Sequence, residues 1–103
     1  MKLLSKTLRR QLPALYSQEN VPDPIIHAKF FHPSSAYTWY PTEFDPENSL
    51  FFGLVGGHDC ELGYFSLEEL ESIKFTGLRI ERDLYWKAKP LSEVQAEIER
   101  SGV

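Results

Sequence analysis

Two β-rich runs, Leu50–Val55 (LFFGLV) and Cys60–Phe65 (CELGYF), stand on either side of Gly56-Gly57-His58-Asp59, and this spacing constrains the chain more than any other feature. Runs of aromatic and aliphatic residues separated by a few glycine-led positions form a β-hairpin. Glycine enters positive φ without steric cost, and Asp59 tolerates turn geometry. Centring the turn on Gly57-His58 sets Phe52 opposite Gly63, Leu62 opposite Gly53 and Phe51 opposite Tyr64, so each strand glycine is covered by a bulky neighbour. The same stretch also places an imidazole, two carboxylates and the only thiol within four residues. A metal site needs ligands converging on one point, whereas strand alternation sends Cys60 and Glu61 to opposite faces. A turn is therefore expected, with His58 exposed and Cys60 buried or half-buried; a nucleophilic Cys60 would need a neighbouring base.

The rest of the chain supplies further strands and three helices. Ile25–Phe31 (IIHAKFF) reads as the first strand, with His27 and His32 as surface histidines, and Ala36–Phe44 (AYTWYPTEF) as the second. In the second, alternation puts Tyr37, Trp39, Pro41 and Glu43 on one face and Thr38, Tyr40, Thr42 and Phe44 on the other. Pro41 cannot donate to a ladder, so this strand lies at an edge, carries a bulge or breaks there. Asp45-Pro46 opens a turn into Leu50.

Leu4, Leu8 and Leu12 recur at helical spacing behind Ser5 as N-cap, and Pro13 ends that helix. Ser66-Leu67-Glu68-Glu69 is a capping box followed by Leu70 and Ile73, with Gly77 ending or following the helix. Leu78–Trp86 alternates as an extended segment or edge strand. Ser92-Glu93-Val94-Gln95 is a second capping box, opening a helix with Val94 and Ile98 inward that frays near Gly102. The expected fold class is α+β: one domain over residues 1–103, an antiparallel meander of four strands, five if the late segment joins. Short helices follow at the N-terminus, after strand four and at the C-terminus, packed on one face.

Composition narrows the function classes. One cysteine excludes an intramolecular disulfide and offers no structural zinc set. No apolar stretch is long enough for a signal peptide or a membrane span, so a cytoplasmic protein is expected. The formal net charge is −4, with Lys2, Lys6, Arg9 and Arg10 all in the first ten residues. Residues 11–103 keep seven of the eleven basic side chains against all fifteen acids, a balance of −8. An acidic body argues against general nucleic-acid binding, which depends on neutralising phosphates. The basic tip at Lys6, Arg9 and Arg10 is either a solvated helix face or a local anion contact.

Thr38–Asp45 (TWYPTEFD), Leu50–Val55, Glu61–Glu71 (ELGYFSLEELE) and Ile80–Glu93, together with the opening Lys2–Glu19, resemble one family over nearly the whole chain. It is the set of small bacterial proteins grouped as domain of unknown function 2958. The resemblance implies carriage on plasmids and other mobile elements and, by association, a helper role there. It implies no catalytic residues. Pro41 stands where a small residue such as alanine is expected from the family.

Three functions follow as expectations. The first is a non-enzymatic module whose aromatic-rich sheet face or second-strand edge contacts another protein through Trp39, Tyr40, Glu43 and Asp45 near Arg82, which could reach a carboxylate such as Glu43. Aromatics on a face that the helices leave bare make a partner surface. The second is a small hydrolase or metal-dependent enzyme using His58, Asp59, Glu43 and Asp45, which requires those groups to converge. The third is nucleic-acid contact through the N-terminal helix. No cofactor and no resident metal are expected.

Overall fold

The computed structural model describes residues 2–57 and 59–100, so His58 and the helix end at Gly102 lie outside the described residues. Twelve elements follow in order: α1 (Lys6–Gln11), β1 (Ile25–Ile26), β2 (Phe30–Phe31), β3 (Thr38–Asp45), β4 (Leu50–Gly56), β5 (Glu61–Ser66), α2 (Leu67–Ser72), β6 (Lys74–Phe75), β7 (Leu78–Arg79), β8 (Glu81–Arg82), β9 (Lys89–Pro90) and α3 (Leu91–Arg100). The fold is α+β. A five-stranded antiparallel sheet runs β5-β4-β3-β2-β8, a four-strand meander to which β8 adds beside β2.

The local capping signals act as their chemistry dictates. Ser5 Oγ accepts the Leu8 N–H at 3.1 Å, and α1 gives way to extended backbone at Leu12, ahead of Pro13. Ser66 Oγ accepts the Glu69 N–H at 3.2 Å at the start of α2. The third helix departs from expectation. It starts at Leu91, and Ser92 is not its cap; Asp23, from a distant loop, accepts both the Ser92 N–H (2.9 Å) and its hydroxyl (2.6 Å).

Pro41 produces a bulge, and β3 lies in the interior of the sheet, not at an edge. Tyr40 pairs with Leu54 and Pro41 with Gly53, but the next pair is Glu43 with Phe52, leaving Thr42 unpaired. The missing proline donor is what a regular central strand cannot accommodate, and Thr42 Oγ1 restores a bond by donating to the Phe52 carbonyl at 3.1 Å. A bulge shifts the alternation by one. Glu43 therefore leaves the face of Trp39 and joins that of Tyr40.

The β4–β5 register also differs from expectation by one residue. Gly53 faces Gly63, Phe52 faces Tyr64 and Phe51 faces Phe65. The aromatic packing accounts for this choice, because Phe51 sits 5.1 Å from Phe65 and 4.6 Å from Phe44, while Phe52 meets Tyr64 edge-on at 4.9 Å. A slip of one residue would turn Phe65 out of the core and Tyr64 into it.

Each sheet face carries its own core, which corrects the one-sided helix packing. Leu8 of α1, Leu12 just after it and Leu70 of α2 cover Phe30, Phe44, Phe51 and Phe65. On the opposite face Leu91 and Val94 of α3 cover Ile26, Tyr40 and Leu54, with Trp86 and Ile98 alongside. Covering that second face requires β9 to return beside β1, and this splits the run Ile25–Phe31 into two short strands.

α2 stops at Ser72 and is followed by a tight β6–β7 hairpin, in which Thr76 and Gly77 both take positive φ (55° and 78°). His32, expected at the surface, is buried and pins this hairpin. Its Nε2 lies 3.1 Å from the Phe75 and Leu78 carbonyls, which can only accept, and its Nδ1 takes the Ser34 N–H.

Candidate functional site

The bulge and the hairpin register together assemble a site that no single segment announces. Phe52 shares a face with Leu54 on β4; Glu43 lies opposite Phe52 and Tyr64 beyond it, with Leu62 two residues along β5. α3 covers only the Leu54 end of this face. Residues 13–24 wrap the other end, held by the buried Glu43 carboxylate, which is 3% exposed. Its Oε1 accepts the Tyr16 N–H at 2.9 Å and its Oε2 the Gln18 N–H at 2.8 Å. Tyr16 takes the left-handed conformation (φ 69°) that turns its N–H inward. The far end of the wrap is fixed by Asp23 on Ser92 and by the Leu91 N–H on the Pro24 carbonyl at 2.9 Å.

Between the wrap and the sheet lies a cleft of about 460 Å³. Tyr16 and Tyr64 meet edge-on across its mouth, ring centroids 6.5 Å apart, with Phe52 behind and Leu62, Glu19 and Glu43 along the walls. The Tyr64 phenol is held above its ordinary value by desolvation, by its hydrogen bond with the Tyr16 side chain and by the Glu19 and Glu43 carboxylates. The cleft is aromatic and electrically negative.

The side chains singled out from sequence are not gathered into one surface. Trp39 is half-buried on the opposite face, stacked on Tyr37 at 6.1 Å. Tyr40 is core, packed on Trp86 at 5.7 Å, and burial raises its phenol. Asp45 closes its own turn through the Asn48 side chain (2.8 Å) and the Glu47 N–H, and the Asn48 bond lowers its carboxyl. Arg82 donates to the Leu3 carbonyl at 3.0 Å and not to Glu43. Of the five, Glu43 alone lines the cleft.

Two of the groups that the enzymatic reading requires, Asp45 and Asp59, lie far apart. Asp45 pairs with Leu50 at one end of β4 and Asp59 follows Gly56 beyond the other, roughly 20 Å away at the usual rise per strand residue. Cys60, expected to be buried or half-buried, is exposed just ahead of β5 at the sheet margin. Among the described residues no group of three His, Cys, Asp or Glu side chains is placed to hold a metal ion, and no helix is long and apolar enough to cross a membrane. Lys6, Arg9 and Arg10 are exposed on α1.

Sequence reasoning passed over Tyr16, Glu19 and Leu62. The usable signal was the aromatic match Phe51/Phe65 and Phe52/Tyr64, which selects the register and so the face on which Leu62 falls.

These features define a small α+β domain with a core on each sheet face and an acidic aromatic cleft at one edge. The chain belongs to the family described as Protein of unknown function (DUF2958), whose model matches residues 3–103. Neither a curated protein nor a solved structure matches it.

Proposed function

We propose that this protein is a cytoplasmic, non-enzymatic interaction module that docks an extended segment of a partner protein along the outer edge of β5. The observation that carries this is the state of that edge. β5 ends the sheet over six residues, Glu61–Ser66, and contains no proline, lysine or bulge. Among the described residues no backbone hydrogen bond from another segment reaches Glu61–Phe65 from the outer side. Edge strands are ordinarily blunted by such devices, because an open ladder recruits other chains. Here Leu62 and Tyr64 stay 52% and 53% exposed beside it. Strand addition would supply main-chain bonds for affinity, and the cleft would supply side-chain selection.

The family resemblance adds a setting, a helper role in the biology of plasmids or other mobile elements. The opposite edge, β8, spans only Glu81–Arg82 and offers no comparable ladder.

Placing a photo-cross-linking amino acid at position 62 or 64, and at exposed Gln95 on α3 as control, tests the proposal in the native host. One partner trapped from 62 and 64 but not from 95 is expected. Equal trapping at all three, or none at the two β5 positions, would sink it.

A further inference from the structure

We propose that the cleft beneath Tyr16 and Tyr64 receives a cationic side chain, lysine or arginine, of the docked segment. This rests on the strand-addition reading for how the side chain arrives, and on the chemistry of the cleft for what it is. An added strand alternates its side chains, so every second one falls on the face of Leu62 and Tyr64, next to the cleft mouth.

The cleft walls are complementary to one class of group. They carry two carboxylates, Glu19 and Glu43, and three aromatic rings, Tyr16, Phe52 and Tyr64, but no lysine, arginine or histidine. Buried carboxylates are ordinarily paired with a cation. Glu43 is buried, yet among the described residues no cationic side chain lies within 4.0 Å of it, and its two oxygens are held by backbone N–H groups alone. A cation over aromatic faces is attracted by the ring quadrupoles, and the methylenes of a long basic side chain would lie against Leu62. The acidic balance of residues 11–103 draws basic segments from further away.

The test uses the intact chain and defined probes followed by NMR. N-acetyl-arginine methylamide, the lysine equivalent, and the neutral citrulline and norleucine equivalents report on the cleft. Short acetylated β-forming peptides with arginine or citrulline at the centre report on the edge. Saturable shifts of the Tyr16, Leu62 and Tyr64 side chains are expected with the two cationic amides, about tenfold weaker with the neutral ones, and reduced in Glu19→Gln, whose side chain is exposed and makes no fold contact described above. Comparison of arginine with lysine then sets the preferred head group.

Equal response to cationic and neutral amides, or none to any, overturns the cationic pocket. Shifts of the Glu61–Phe65 backbone amides by both peptides alike, with no arginine preference, would leave strand addition standing and the pocket refuted. Cation-selective cleft shifts without any edge response to peptide would do the reverse.

Discussion

Replacing either of two glycines that face each other across one ladder should have opposite consequences, because the bulge crowds only one of them. A Cβ built on Gly53 would fall 2.1 Å from the Tyr40 carbonyl oxygen and 2.8 Å from the Pro41 Cα, both backbone atoms. Relieving the first contact to an ordinary carbon–oxygen separation of about 3.3 Å requires β3 and β4 to part by roughly 1 Å, well beyond their usual spacing. Two or three ladder bonds near the bulge would be lost at about 1 kcal/mol each, in line with the roughly 1–3 kcal/mol of overpacked interiors. We expect Gly53→Ala to cost about 3 kcal/mol, which lowers the Tm of a domain this size by roughly 12–24 °C. Gly63 sits directly opposite, and a Cβ there meets nothing within 4 Å. Gly63→Ala should gain about 0.5–1 kcal/mol, since glycine weakens a strand interior. Urea unfolding at constant m value measures both. A Gly53→Ala protein as stable as the parent, or equal losses at the two positions, would refute the bulge as the source of the close approach.

Four further substitutions probe the site and its supports. Glu43→Gln keeps the shape but turns an amide toward two backbone N–H groups; a loss of about 1–3 kcal/mol and faster proteolysis within residues 14–24 are expected, and an unchanged cleavage pattern would remove Glu43 as the clasp. Trp86→Phe deletes the Nε1–H bond to the carbonyl of fully buried Ile26 (3.1 Å) and weakens the Lys89 contact over the ring at 4.5 Å; urea unfolding should show a loss of about 1–3 kcal/mol. Partial burial lowers the His27 pKa from 6.5, so the unfolded chain binds the proton more readily. Its contribution is therefore complete above pH 6.5 and lost as pH falls through the lower folded value. His27→Gln should flatten that limb of the stability–pH curve. The Asp23 carboxyl, lowered by its bonds to Ser92, acts only in more acid solution: its support for α3 is full above pH 3.8 and disappears as pH drops through the depressed value, which Asp23→Asn should abolish.

What the sequence made legible was whatever depends on neighbours along the chain. Ser5 and Ser66 cap their helices, Pro13 and Asp45-Pro46 end their segments, and β3, β4 and β5 fall on the β-rich runs that predict them, because each signal is complete within a few residues. What stayed hidden depends on parity, the choice of face, which long-range packing decides. Pro41 announced an irregularity without saying whether the chain would gain a residue, break or sit at an edge, and the gain of one residue moved Glu43 across the sheet. The GGHD turn announced a hairpin without fixing its register, and one step moved Leu62 and Tyr64 across as well. Each shift alone would have left the carboxylate and the β5 side chains on opposite faces. Both occur, so they cancel for this group of residues and place Glu43, Phe52, Leu62 and Tyr64 together on the face of Tyr40 and Leu54, beyond the end that α3 covers. The cleft therefore depends on the β3 bulge and the β4–β5 register together. Removing the bulge by restoring an N–H donor, as in Pro41→Ala, offers the chain a regular β3 in which Glu43 would return to the opposite face and release Tyr16 and Gln18. If the amides of Tyr16 and Gln18 keep their protection against hydrogen exchange in that variant, the bulge is fixed by Thr42 and the aromatic register, and the proline merely tolerates it.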